Sequence, residues 1–276
     1  NSSVKLIRAA TSARRHATNL PDCSTMQNNS PQSLPGVDAT KSQPTSNEIP
    51  TFESLTASYN YLTIQSFAQT FADVVVGEAT KRRSDSCRIL DVGCGSGIAR
   101  ETSHQWRIKG YATDFWGIEP DAGIEPITGL FDHFQYALME TAQLPSNSFD
   151  LAYSSMVMEH VADPQGYLTA LRQCLKPGGA YLFVTPNANS FVPWATKMLH
   201  ALHIEEIVLK MIQGKQAVDE YHYPVQFRCN TAKQLDRLAE SSGFCKPEYL
   251  YVEGTGAASY LKGPLKPIRY FLGWKR

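Results

Sequence analysis

The stretch ILDVGCGSG, Ile89 to Gly97, carries the densest chemistry in the chain. An apolar run that reads as a buried strand leads into Gly93, Cys94, Gly95 and Gly97, and a helical pattern follows from Ile98 to Arg107. Glycines here allow φ > 0 and close approach of a ligand to the backbone. The N-terminus of the following helix offers unpaired N–H groups and a positive dipole end, which suit an anionic group. The spacing is GxGxG with Ile98 in sixth position. A dinucleotide fingerprint needs GxGxxG and a P-loop needs GK[ST], so NAD is disfavoured and the P-loop signature is absent. About 20 residues further on, GIEPD sets Glu119 at the tip of a second strand, where an acid accepts hydrogen bonds from ribose hydroxyls. A glycine loop alone would be a tight strand–helix turn. Together with the acid it points to a nucleoside-type ligand.

The elements that must position these residues alternate. Strands are expected at Arg88 to Cys94, Asp114 to Glu119, around His133 to Met139, Phe149 to Val157 and Ala180 to Thr185. Helices are expected at Ile98 to Arg107, Pro164 to Leu175 and Thr231 to Ser242, with a broken helical region near Gly123 to Leu130. Before them, Tyr61, Ile64, Phe67, Ala68, Phe71, Val74 and Val75 recur at helical spacing, which predicts a helix within Phe52 to Arg83. Alternation of this kind implies parallel pairing with helices on both faces: an α/β, doubly wound, mostly parallel sheet. Several strands are continuously apolar, as strands covered on both faces should be.

Composition narrows the function classes. The 276 residues are 42% hydrophobic, enough for a sizeable core, and Lys+Arg 26 balances Asp+Glu 26. Zero net charge argues against a protein built to coat nucleic acid or an anionic membrane. No apolar run approaches the ~20 residues that span a bilayer. The six cysteines are scattered without a CxxC pair, so neither a zinc site nor a redox pair is indicated and no metal is expected. They read as reduced packing thiols of an intracellular protein.

Residues 1–50 are rich in Ser, Thr, Asn, Gln and Pro and read as a disordered tail. Lys5, Arg8, Arg14 and Arg15 precede the first acid, Asp22, a pattern that also suits an organelle transit peptide. Two addresses therefore stand: cytoplasmic, or mitochondrial if that segment is a transit peptide. Residues 51–276 form the domain, with an amphipathic helical insertion at 188–230. The basic, aromatic ending GPLKPIRYFLGWKR suits either a loosely packed terminus or peripheral membrane contact.

Four motifs in order, ILDVGCGSG, FWGIEPD, METAQLPSNSFDLAYSSMVMEHV and LRQCLKPGGAYLFVTPN, resemble the class I S-adenosylmethionine-dependent methyltransferases. The likeness covers about Leu90 to Asn187, and EHVADP and LKPGG are similar to the ubiquinone- and menaquinone-pathway group. This resemblance implies a Rossmann-like methyltransferase fold and S-adenosyl-L-methionine as cofactor. By it, Asp91 and the Gly93–Gly97 loop, with Cys94 and Gly95, hold the methionine end, and Glu119 takes the ribose hydroxyls. Ile118 and Pro120 flank the adenine. Glu140 aligns with an acid near the adenine amino group, where many members carry Asp, and Thr141 aligns with a backbone donor. Ser154, late in its strand, is assigned to the cofactor side. The family sheet closes with an antiparallel seventh strand. Glu248 to Val252 is a sixth-strand candidate without a convincing later partner, so the last strand is expected to be missing and the sheet edge exposed.

Methyl transfer asks the protein for alignment, desolvation and, where needed, removal of a proton from the acceptor. His160 and His222 are the candidate bases. SSMV stands where an NPPY-like tetrapeptide would hold a planar amine, which disfavours DNA-adenine and protein-glutamine methylation. The expected acceptor is a small molecule, polar or hydrophobic, methylated at oxygen or carbon, with no nucleic acid partner. The apolar face of Phe191 to Ile212 could cover a hydrophobic acceptor or pack as an ordinary helix. A non-catalytic cofactor-binding scaffold of the same fold and an NAD-dependent oxidoreductase are the alternatives. Binding of S-adenosylhomocysteine against NADH separates them.

Overall fold

The computed structural model describes residues 4–11, 52, 55, 61–64, 66–82, 87–186, 226, 228–229 and 231–254. Along these the chain forms β1 (Val4–Ala10), β2 (Tyr61–Ile64), α1 (Phe67–Arg82), β3 (Arg88–Val92), α2 (Thr102–Lys109), β4 (Asp114–Glu119) and β5 (His133–Tyr136). It continues through β6 (Phe149–Ser155), α3 (Pro164–Cys174), β7 (Leu175–Pro186), α4 (Ala232–Ser241) and β8 (Glu248–Gly254). The strands make one sheet in the order β2-β8-β1-β7-β6-β3-β4-β5. Neighbours pair in parallel except β1, which runs antiparallel to both β7 and β8.

The apolar runs find cover on both faces. Ile89, Leu151 and Leu182 face α1 with Phe71, Val74 and Val75, while Leu90, Ala152 and Tyr181 face α3 with Leu168 and Leu171. Helix α3 starts where Asp163 accepts a hydrogen bond from the Gly166 amide and Pro164 occupies the first turn. A reciprocal Thr231–Gln234 capping box starts α4. Both caps are local signals, and both boundaries fall within a residue of the expected ones.

Three expectations are corrected. First, residues 4–11 are not part of a disordered tail. Val4 and Leu6 enter one core layer and Ile7 and Ala9 the other. The two cations between them are buried with partners. Arg8 reaches Glu78 of α1 at 2.9 Å and Glu248 of β8 at 2.7 Å, and Lys5 lies over the Tyr251 ring. The rest of the tail, residues 12–51, lies outside the described residues. Second, β8 is not left as an open edge, because β1 pairs with it on one side and β2 on the other. The N-terminal strand fills the antiparallel place expected after β8. Third, the helix expected within Phe52 to Arg83 is Phe67–Arg82, and Tyr61 and Ile64, counted on its face, belong instead to β2. Near Gly123 to Leu130 the chain makes turns, not helix. His222, almost all of the insertion and the basic ending lie outside the described residues. Among the described residues no helix is long and apolar enough to cross a membrane.

Candidate functional site

Strand β3 ends in the glycine loop. Gly93 and Cys94 amides both donate to the Ile118 carbonyl at the end of β4, at 2.8 and 3.1 Å, which folds the loop back over the neighbouring strand. At Gly97 φ is +112°, and a Cβ there would stand 2.7 Å from the Glu101 carbonyl carbon, so only glycine fits. Ala99 and Arg100 then take positive φ of 53° and 66°. This tight turn delays α2 to Thr102, four residues later than the expected start, so its free N–H groups lie beyond Glu101.

Glu119 sits across from the loop and is 5% exposed. Its Oε2 accepts the Gly95 amide at 2.8 Å and its Oε1 accepts the Asp121 amide at 3.0 Å. Burial, first of all, pushes its carboxyl above the ordinary value. Asp91 lies beneath the loop, 2% exposed. Tyr153 OH and Gln105 Nε2 both donate to its Oδ2 at 2.6 Å, and the same Gln105 nitrogen donates to the Cys94 carbonyl at 3.0 Å. Desolvation pushes the Asp91 carboxyl up to about 7, against the pull of those two donors, and the Glu119 charge adds to the rise. Burial likewise raises the Cys94 thiol well above its ordinary range, so it is a neutral packing group.

A cavity of about 330 Å³ opens at the carboxyl ends of β3, β4 and β6. Chain order reverses there: β3 leads outward to β4 and β5, and β6 returns on the other side of β3. Gly93, Glu119, Pro120, Glu140 and His160 border it. Ile118, Leu138, Met139, Met156 and Val157 supply apolar sides. Met156 has φ +57°, a left-handed conformation that turns the chain out of β6 into this wall. Val157 packs on Gly93, where a Cβ would meet its Cγ2 at 2.6 Å.

The structure thus brings Gly93, Glu119, Pro120, Glu140 and His160 around one cavity. Asp91 and Cys94 are buried behind the loop, and Gly95 and Gly97 form its outer turn. Two assignments are corrected. Ser154 is fully buried and hydrogen-bonds Tyr181 OH at 2.6 Å, which in turn meets Tyr167 OH at 2.9 Å. Strand alternation turns it into the core and presents Ser155 to the cavity instead. The Thr141 amide already donates to Leu138 O at 3.0 Å, so it is not an open donor. Gln105, Tyr153, Tyr167 and Met156 were not singled out by the sequence. Gln105 falls on the inward face of a helix whose start was misplaced, and the aromatic residues read as ordinary core. Among the described residues no group of three or more His, Cys, Asp or Glu could hold a metal ion.

A fold with its cavity at a switch point and an acid at the second strand tip defines a nucleoside-cofactor enzyme class. Comparison with known proteins narrows it. The profile of the methyltransferase-domain family matches residues 64–245, and the chain belongs to this family. The ubiquinone biosynthesis O-methyltransferase of Escherichia coli O9:H4 is 32% identical over 148 residues, 50% of this chain and 58% of that protein. The Dinoroseobacter shibae protein of the same name is 34% identical over 109 residues, 37% of this chain and 42% of that one. The chain thus spans about half the length of the curated relatives it matches. A SAM-dependent methyltransferase structure from Thermotoga maritima aligns at TM-score 0.40 and 19% identity over 61% of this chain and 70% of that one, too loosely to carry an argument.

Family membership implies S-adenosylmethionine, and the residues fit it. The cavity has apolar walls for a base and two acids, Glu119 and Glu140, on its border. Each carboxylate oxygen has about two lone pairs, so Glu119, with one amide on each oxygen, retains capacity for hydroxyl donors. Gln105 Oε1 is a buried oxygen without a hydrogen-bond partner beside the loop.

Proposed function

We propose that this chain binds S-adenosylmethionine between the Gly93 loop and Glu119 and catalyses methylation of a hydroxyl on a small, partly apolar molecule. The observation that carries the reading is the cavity at the ends of β3, β4 and β6, with Glu119 at its polar end and apolar side chains around it. When bound, the cofactor supplies a methyl carbon already activated by its sulfonium. Glu119 would accept the ribose hydroxyls, and Ile118, Pro120, Leu138 and Met139 would enclose the base. Glu140, exposed at the rim, would meet the base's amino edge. The loop amides would hold the anionic end, with Asp91 setting the loop from below. His160, which lines the cavity, would take the proton from an acceptor hydroxyl as the oxygen bonds to carbon. An oxygen acceptor is chosen because the curated relatives are named O-methyltransferases. Their named pathway makes a phenolic ring the first acceptor to try.

Transfer of label from methyl-labelled S-adenosylmethionine to a panel of catechols and other phenols tests this. Labelled, organic-extractable product supports it. Cofactor binding with no product across the panel would instead favour the scaffold reading.

A further inference from the structure

Among the described residues the loop is underlain by two buried carboxylates and no cation. Asp91 and Glu119 are 2% and 5% exposed, and every group hydrogen-bonded to them is neutral: Tyr153 OH, Gln105 Nε2 and the amides of Gly95 and Asp121. The charged side chains on the packed elements are occupied elsewhere. Arg107 of α2 binds Asp73 of α1, Arg88 of β3 binds Asp114 of β4, Lys176 of β7 binds Asp150 of β6, and His104 Nε2 lies on Glu101. Arg100 is exposed in the turn beyond the loop. Two like charges so enclosed resist ionising together. Within the same cluster Gln105 commits its nitrogen to Asp91 and Cys94, while its buried Oε1 has no donor. That is an unmet acceptor beside an uncompensated acidic pair, the arrangement a cationic ligand group completes.

We propose that cofactor binding is proton-coupled: the empty loop keeps a proton on the Asp91 carboxyl, and docking of the cofactor's ammonium expels it. The proposal rests on the cofactor reading above and adds to it the coupling and its residue. In the step, the carboxyl O–H bond breaks, the proton passes to buffer, and the carboxylate is stabilised by the incoming positive charge. Gln105 and Tyr153 are positioning residues. They hold Oδ2 and tie it to the Cys94 carbonyl, so a charge change at Asp91 is felt by the loop itself. The elevated Asp91 value, about 7, places the coupling near neutral pH. Affinity for a cationic ligand then rises roughly eight-fold between pH 6 and 7.5, as the protonated fraction of the free protein falls.

The test is titration calorimetry with S-adenosylhomocysteine at pH 7 in phosphate and in imidazole, buffers of low and high ionisation enthalpy. The expected result is a heat that differs between buffers by release of about half a proton, the protonated share of a group titrating near pH 7. Tyr153→Phe removes a donor that favours the ionised form, so release at pH 7 should move toward a full proton. In Asp91→Asn binding should weaken, and the heat that remains should lose its buffer dependence. Binding heat identical in both buffers for the unaltered protein overturns the proposal, as does undiminished release in Asp91→Asn. If either variant fails to fold, the two-buffer comparison on the unaltered chain still decides. Absence of heat in both buffers is a different failure, that of the cofactor reading.

Discussion

Gly95 offers a substitution whose steric and electrostatic effects separate. A Cβ there finds its nearest heavy atoms, Glu119 Oε2 and Gly93 O, at 3.9 and 4.0 Å, so side-chain atoms have room. Its φ of +47° is left-handed, which costs most residues about 1–2 kcal/mol but is tolerated better by Asn and Asp. Gly95→Asn and Gly95→Asp are therefore both sterically tolerated, and they differ only in charge. In Gly95→Asp a new carboxylate stands beside Glu119 Oε2 and in the path of the cofactor's own carboxylate. Like charges about 5 Å apart repel by ~3 kcal/mol at an effective dielectric of about 20, and part exposure of the loop lowers this to about 1–3 kcal/mol. Gly95→Asp should thus bind S-adenosylhomocysteine about 10- to 100-fold more weakly than Gly95→Asn. Calorimetric titration of both, with thermal unfolding as the check on folding, measures the difference. Equal affinity in two folded variants would refute the placement of the anionic end at this loop.

Gly97→Ala should destabilise by about 2–4 kcal/mol, since positive φ and a 2.7 Å approach to the Glu101 carbonyl carbon combine; urea unfolding at constant slope checks it. Arg8→Ala strips Glu78 and Glu248 of a buried partner and should cost about 2–4 kcal/mol in the same assay, whereas β1 lying outside the fold would make it neutral. Burial pushes the Glu159 carboxyl up from its ordinary 4.5 to about 7. A raised folded-state value means the native protein binds more protons than the unfolded chain between those values, so stability falls as pH rises from about 4.5 to 7. Glu159→Gln should remove part of that fall, roughly 1–3 kcal/mol, in unfolding measured at pH 5 and 7.5. His160→Gln should lower turnover by about 10²-fold or more and leave cofactor affinity within a few-fold, read from single-turnover rates and calorimetry.

The loop, the acid at the second strand tip and the alternation of elements were legible because each follows from local rules. Glycine spacing marks the turn, continuous apolar runs mark covered strands, and Asp163–Pro164 and Thr231–Gln234 mark helix starts. What was not legible depends on partners distant in sequence. VKLIRAA, with Lys5 and Arg8, looked like a solvated basic segment. Glu78, Glu248 and the rings of Phe52 and Tyr251, some 40 to 250 residues away, partner those cations inside the sheet. The strand that completes the antiparallel place lies at the opposite end of the chain from β8, so no local pattern after β8 marks it. At the site, Ser154 and Ser155 are equivalent in composition, and one residue of strand register decides which faces the cavity. Gln105 gave no signal because the left-handed turn at Ala99 and Arg100 moved the helix start and, with it, the face that the helix presents inward.

A crystal of the chain grown with S-adenosylhomocysteine tests the central claim most directly. The nucleoside should lie in the space bordered by Gly93, Met139 and Met156 with both ribose hydroxyls on Glu119. A nucleoside bound elsewhere on the sheet, or one that leaves Glu119 bonded to backbone amides alone, would contradict it.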